Sequence, residues 1–249
     1  MAPLFFEPCA EIVAEIASAF QPERVLETAT GTGLLTRALH QALPSASIVA
    51  SDINEAMLAI AAQRLANERV TFQTANAQAL PFDDETFDLV LSQFGIMFFP
   101  DRAKANAEAH RVLRSQSHYL IVTFDALERN PVAKVVGEAV AALFPDDPPK
   151  YMEQGPFCYT DPAEIQKDLL AGGFTKIELQ TRGARSRAAD AYEAALGICQ
   201  GGPFRTEIEK RDPNGLDRAT DAAANALRQF EGPGGLDAPM SAHFAIATK

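Results

Sequence analysis

A run of small residues separates an apolar stretch from the start of an amphipathic one: Val25-Leu26-Glu27-Thr28-Ala29-Thr30-Gly31-Thr32-Gly33-Leu34-Leu35. Side chains this small let a backbone pass close to a ligand, and a helix beginning at Leu34 would offer unpaired N–H groups from its first turn. A nucleotide-like molecule suits such a turn, although a tight strand-to-helix connection with no ligand would look the same. Asp52 closes the next apolar run, Ile48-Val49-Ala50-Ser51-Asp52, 19 residues beyond Gly33. A carboxylate at about that distance is where a doubly wound sheet holds ribose hydroxyls; the bland alternative is a cap for a helix opening at Asn54. Three details bear on which adenosyl ligand is meant. Thr36 stands at the sixth position counted from Gly31, where a dinucleotide fingerprint wants a helix-packing glycine or alanine. Glu27 would repel a pyrophosphate and suit a positively charged ligand. Downstream lie Thr74-Ala75-Asn76-Ala77-Gln78-Ala79-Leu80-Pro81-Phe82 and Phe87-Asp88-Leu89-Val90-Leu91-Ser92.

Other chemistries find less support. The 33 Asp and Glu against 22 Lys and Arg give a net charge of -11, which argues against nucleic acid as substrate. Cys9, Cys158 and Cys199 are far apart, without a Cys-x-x-Cys or a Cys/His cluster, so neither a disulfide framework nor a metal site is expected. Acidic runs such as Asp83-Asp84-Glu85 and Asp146-Asp147 read as solvated loops. His40, His110, His118 and His243 read as surface or packing residues, and no general base is named. No Lys or Arg precedes Arg24 and no run of about 18 apolar residues occurs, so a cytoplasmic protein with no membrane contact is the expectation.

The elements that would position these residues alternate in period. Helices are expected at Cys9 to Phe20, Leu34 to Leu43, Asn54 to Ala66 and Asp101 to Leu113, with Pro22 and Pro44 as stops and Asn54 as an N-cap. Strands are expected at Arg24 to Thr28, Ser47 to Ser51, Val70 to Thr74, Phe87 to Ser92 and His118 to Phe124. This alternation implies βαβ units: an α/β, Rossmann-like doubly wound, mostly parallel sheet of seven strands with helices on both faces. The second half adds a helix at Val132 to Leu143, a Pro-rich stretch, a helix at Asp161 to Ala171 closed by Gly172-Gly173, and a strand at Phe174 to Thr181. Beyond it lie helices near Ala188 to Ile198 and Leu216 to Phe230, then a last strand at Ser241 to Thr248.

Together these motifs resemble the class I S-adenosylmethionine-dependent methyltransferases, in particular the small-molecule group that includes the quinone-biosynthesis enzymes. The family's first motif is matched by Val25 to Gly33 with Ala29 in place of the first glycine, and its ribose acid by Asp52-Ile53. Its Asp-Ala-x-x-Leu-Pro-Phe segment is matched by Asn76 to Phe82, with Asn76 for the carboxylate. Phe87-Asp88-Leu89-Val90 matches the fourth strand and Arg111-Val112-Leu113-Arg114 the helix before the fifth, while Ser115-Gln116-Ser117 replaces the usual Pro-Gly-Gly turn. Alanine at 29 is tolerable if its φ stays negative.

The resemblance implies methyl transfer by in-line displacement to a small, apolar or aromatic acceptor. It implies S-adenosyl-L-methionine as cofactor, held by Glu27, Ala29, Thr30, Gly31, Gly33, Asp52, Ile53, Met57, Asn76, Ala77 and Gln93. Phe6, Phe94, Met97, Phe98, Phe157, Tyr159 and Phe204 are the candidate acceptor-pocket residues. Residues 1–249 then form one methyltransferase domain, with 1–23 a helical cover and 129–160 and 182–239 lid or substrate insertions. The expected partner is a small molecule, and self-association as a homodimer is compatible with the reading. A non-catalytic adenosyl-binding regulatory protein is the alternative, and a nucleotide-linked oxidoreductase is disfavoured by Glu27 and Thr36.

Overall fold

The computed structural model describes residues 1–249. In chain order its elements are α1 (Glu7–Phe20), β1 (Arg24–Thr28), α2 (Leu34–Ala42), β2 (Ser47–Asp52), α3 (Glu55–Arg64), β3 (Val70–Thr74), β4 (Phe87–Gln93), α4 (Arg102–Val112) and β5 (Leu113–Phe124). There follow α5 (Pro131–Ala141), α6 (Tyr151–Gln154), α7 (Pro162–Ala171), β6 (Lys176–Ala188), α8 (Ala191–Gln200), α9 (Phe204–Arg211), α10 (Leu216–Leu227), β7 (Glu231–Gly232) and β8 (Gly235–Thr248). The sheet order is β3-β2-β1-β4-β5-β8-β6, with the short β7 paired antiparallel to β8 as an eighth strand. Strands β1 to β5 pair in parallel. The order reverses between β1 and β4, so crossovers of one hand lay their helices on opposite faces, and the carboxyl ends of β1 and β4 become the switch point where such sheets take ligands.

By contacts the chain divides into two units. The first comprises Cys9–Thr123, Tyr159–Arg182 and Ala242–Lys249. Its centre is the apolar strand interior, Val25, Leu26, Leu89, Val90, Leu91 and Leu120, all withdrawn from water. Polar framework contacts fix its loops. The Asp88 carboxylate accepts the Glu23 and Arg24 N–H groups at the start of β1. The Arg111 guanidinium donates to the Phe82 and Leu80 carbonyls at 2.7 and 3.0 Å and pairs with Glu108 and Asp84. Side chains of Asn54, Asp101 and Asp161 cap α3, α4 and α7, each accepting from the first helical turn.

The second unit comprises Met1–Pro8, Phe124–Cys158 and Gly183–Ser241. Here α10 packs on α5 and α8. Phe124 meets Phe5 edge-on at 5.7 Å and Phe157 at 4.7 Å, while Tyr151 stacks on Phe204 at 5.4 Å. The buried Asn130 amide donates to the Asp125, Ala126 and Ser241 carbonyls and accepts the Ser241 N–H.

Several elements differ from expectation. Strand β6 runs to Ala188 and β8 starts at Gly235, so both ends of the expected 182–239 insertion are strand. Arg182, Arg185 and Arg187 gave no apolar alternation there because β6 is an exposed edge strand. Strand β5 begins at Leu113, not His118, because the pairing of β4 and β5 shifts register between Phe87 and Leu89, while Gln116 bends back at φ 63°. Helices α6 and α9 had no expectation at all. Phe5 and Phe6 lie in a wide helical turn, Ala2–Phe6, ahead of α1. Burial pushes the Cys9 and Cys199 thiols up to about 12. No helix is long and apolar enough to cross a membrane.

Candidate functional site

Strand β1, flanked by β2 and β4, carries Glu27 near its carboxyl end with 2% of its surface exposed. The Thr36 hydroxyl, in the first turn of α2, donates to Glu27 Oε2 at 2.6 Å, and Thr36 in turn lies 3.1 Å from the Thr30 hydroxyl. Burial pushes the Glu27 carboxyl up to about 7, against the pull of these hydroxyls. Near neutral pH the group is therefore poised between its charged and neutral forms.

The loop above Glu27 is held on one flank by β2. Thr30 N–H donates to the Ser51 carbonyl at 3.0 Å and Gly31 N–H to Asp52 Oδ2 at 2.8 Å. The second Asp52 oxygen takes the Asn54 N–H at 2.9 Å, so the carboxylate both ties the loop and braces the entry to α3. The ribose and capping readings of Asp52 are thus not exclusive, because each oxygen keeps a further lone pair. Gly31 and Gly33 adopt φ 57° and 79°. At Gly31 a Cβ would meet nothing within 4 Å, whereas at Gly33 it would lie 2.9 Å from Ala61 Cβ, so the first leaves an open face and the second lets α3 approach.

Ala29 departs from expectation: its φ is 54°, in the left-handed region, and its methyl lies where a Cβ on Gly95 would be 2.4 Å away. The condition that made alanine tolerable there does not hold. Ile53 is 70% exposed and Met57 40%, a pair of apolar side chains turned outward beside Asp52. Asn76 is exposed at the end of β3, where Ala75 N–H donates to the Asp52 carbonyl. The Asn76 amide oxygen already accepts the Gln78 N–H at 2.9 Å, closing its own turn and leaving one lone pair for a ligand. Gln93 ends β4, half-buried.

A family model described as "Methyltransferase domain" matches residues 26–121. The chain is 32% identical over 166 residues to a demethylmenaquinone methyltransferase of Clavibacter sepedonicus, covering 63% of this chain and 67% of that one. The chain belongs to the class I S-adenosylmethionine-dependent methyltransferases. It is also 31% identical over 168 residues to the ubiquinone/menaquinone biosynthesis C-methyltransferase UbiE of Hydrogenovibrio crunogenus, over 62% of this chain and 66% of that one. It spans about half to two thirds of the length of the curated relatives it matches. In fold it is similar to a phosphoethanolamine N-methyltransferase 2 of Haemonchus contortus, with a TM-score of 0.61 at 20% identity over 99% of this chain and 55% of that one.

The cofactor of this family is S-adenosylmethionine, and the residues present fit it. The open face at Gly31 admits a ligand against the backbone, Asp52 has lone pairs left for a diol, and Ile53 and Met57 offer apolar surface to a flat ring.

The acceptor candidates separate. Phe94 and Met97 are buried at the turn after β4, and Phe98 is 54% exposed. Tyr159 is fully buried, with the Arg102 guanidinium 4.2 Å over its ring, and burial and the Asp168 charge drive its hydroxyl pKa upward. Phe157 and Phe204 are core members of the second unit, Phe204 with 1% of its surface exposed, where α9 and the rings of Phe124 and Tyr151 need apolar partners. Phe6 is half-buried in that unit. All four histidines have packing partners: His40 with Arg69, His110 with Phe174, His118 with Phe20, and His243 with Thr181 and the Thr160 carbonyl.

Two contributors were missed. Thr36 had been read only as the absence of a glycine; a hydroxyl in the first turn of a helix, nine residues after a buried acid, was the available signal. Gly95 carried no signal by itself, since its role depends on the conformation of Ala29.

Proposed function

We propose that this methyltransferase moves the methyl group of S-adenosylmethionine to a ring carbon of a small, apolar quinol. The observation that carries the reading is Asp52, whose two oxygens brace Gly31 and Asn54 in a chain 32% identical to a demethylmenaquinone methyltransferase. When bound, S-adenosylmethionine supplies an electrophilic methyl on a sulfonium whose thioether leaves without an acid.

The chain's residues have the remaining tasks of binding, orientation and exclusion of water. Asp52 accepts from ribose hydroxyls, Ile53 and Met57 cover adenine, and Asn76 and Ala77 meet its edge. Glu27, Ala29, Thr30, Gly31, Gly33 and Gln93 surround the methionine end. Phe94, Met97 and Phe98 supply the apolar acceptor wall. Carbon methylation of a quinol is promoted by ionising a hydroxyl, which makes the ring carbon nucleophilic, and is completed by loss of the proton from that ring carbon; no base is assigned, since each histidine is engaged elsewhere. The reading makes the protein a cytoplasmic enzyme of small-molecule metabolism.

The test is turnover of S-adenosylmethionine with reduced naphthoquinones and benzoquinones lacking a ring methyl, under exclusion of oxygen, with products read by mass spectrometry. Expected is S-adenosylhomocysteine in step with a ring-methylated product. Turnover confined to amines or simple alcohols overturns the acceptor class. Binding of S-adenosylmethionine without turnover of any acceptor overturns catalysis in favour of a non-catalytic adenosyl-binding protein.

A further inference from the structure

Ala29 and Gly95 each occupy the backbone that would suit the other. Ala29 sits at φ 54°, where glycine is favoured, yet carries a methyl. Gly95 sits at φ -104° and ψ -44°, open to any L-residue, yet carries none. Distance explains the exchange: a Cβ on Gly95 would lie 2.4 Å from Ala29 Cβ and 2.9 Å from Ser92 Oγ. Glycine at 95 is thus demanded by its neighbours, chiefly the Ala29 methyl, and not by its own dihedrals.

That methyl bridges two turns leaving adjacent parallel strands, β1 and β4, which pair from Val25 with Leu89 to Glu27 with Leu91. The glycine loop is tied on its β2 flank by hydrogen bonds from Thr30 and Gly31. The turn after β4 is tied on its β5 flank by Phe94 N–H donating to the Val122 carbonyl at 2.9 Å, with Phe94 itself left-handed at φ 54°. Ala29 against Gly95 joins these two anchored turns by close packing. A strained non-glycine residue persists where its surroundings over-determine it, and such strain concentrates at ligand clamps.

The geometry points to Ala29 as a positioning residue that locks the glycine loop to the turn after β4 in its donor-binding shape, with Gly95 as its matched partner. This rests on the donor site proposed above. Glycine at 29 relieves the strained φ but removes the lock, so the loop must be ordered by the ligand instead.

The test is calorimetry with S-adenosylhomocysteine on wild-type protein, Ala29→Gly, Gly95→Ala and the double variant, beside thermal midpoints without ligand. Ala29→Gly should keep or raise the midpoint while weakening binding roughly fivefold through a less favourable entropy. A merely structural contact would lower the midpoint and leave affinity alone. Gly95→Ala should lower the midpoint and abolish measurable binding, and adding Ala29→Gly should bring both back to within about twofold of Ala29→Gly alone. Ala29→Gly binding as tightly as wild type overturns the inference, as does a harmless Gly95→Ala. If Gly95→Ala does not fold, a double variant that does not fold either overturns the matched pair. Wild-type protein that binds no S-adenosylhomocysteine removes the donor site itself and this inference with it, a result distinct from the others.

Discussion

The turns after β1 and after β4 are the same kind of place, each leaving the carboxyl end of a parallel strand at the switch point, and they are built in opposite ways. The first is made of backbone and charge: Gly31 and Gly33 in left-handed conformations, the Asp52 carboxylate on a main-chain N–H, and a buried Glu27 satisfied by Thr36. The second is made of packing: Phe94, Ile96 and Met97 buried, Phe98 half in water. A ligand held by backbone shape constrains residue type at fixed spacing, whereas one held by apolar walls constrains only volume. The contrast predicts that substitutions in the first turn act on the donor and those of the apolar side chains in the second, Phe94, Met97 and Phe98, on the acceptor, while Gly95, packed against Ala29, belongs with the first turn.

Asp52→Ala should break the first turn most severely. Two backbone N–H groups lose a charged acceptor along with any ribose contact, so S-adenosylhomocysteine affinity should fall about 100-fold, equivalent to about 2.7 kcal/mol. Calorimetry decides, and an affinity within a few-fold of wild type would refute the ribose assignment.

Glu27 comes next, through pH. Its pKa in the folded chain is about 7, raised by burial from 4.5. The folded state therefore binds this proton more tightly than the unfolded chain, and the associated stability is fully present below about pH 4.5 and is lost as pH rises through about 7. Between about pH 5 and 7 the loss from this one group is about 2 kcal/mol. Glu27→Gln should flatten that part of the stability-against-pH curve measured by urea unfolding, and parallel curves for the two proteins would contradict the buried assignment. Because a cationic donor favours the charged form, wild-type affinity for S-adenosylmethionine should rise from pH 6 to 8, and that rise should vanish in Glu27→Gln.

Thr36→Val tests the same carboxyl from its partner's side. The hydroxyl at 2.6 Å is replaced by a methyl of similar size, leaving Glu27 without its nearest donor. A stability loss of about 1–2 kcal/mol at pH 8, shrinking at pH 5 where the acid is protonated, is expected. A loss equal at both pH values would mean that packing, not the hydrogen bond, is what Thr36 provides.

The same contrast decides what could be read from the residues alone. From Arg24 to Phe124 the elements were legible because local signals agree: Pro22 and Pro44 stop helices, Asn54 caps α3 and the apolar runs match buried strands. Asp52 and the glycine loop were legible by spacing. The left-handed Ala29 was not, since its conformation is imposed by anchors on β2 and a hollow at Gly95, which lies 66 residues away in the chain. Strand β6 was hidden because an exposed edge strand carries charges where a buried one carries alternating apolar residues. Phe157, Tyr159 and Phe204 were assigned to a pocket from residue type and position; their packing against Phe124, Arg102 and Tyr151 respectively is long-range information that residue type alone does not carry.

The smallest expected effect sharpens the comparison most. Phe98 is 54% exposed, so its ring contributes little to folding, and Phe98→Ala should shift stability by less than about 0.5 kcal/mol. If the turn after β4 faces an apolar quinol, removing the ring should raise the acceptor KM about threefold while leaving kcat and the S-adenosylhomocysteine dissociation constant unchanged, because a contact made equally in the ground and transition states appears in KM alone. A change in donor affinity instead would mean that the apolar side chains of this turn, and not Gly95 alone, shape the donor side, and the division between side chains that read charge and backbone and side chains that read apolar volume would have to be given up. Unchanged steady-state constants would leave Phe94 and Met97, which are buried against the protein itself, as the acceptor-facing part of this turn, and would move the acceptor wall inward by one turn of chain.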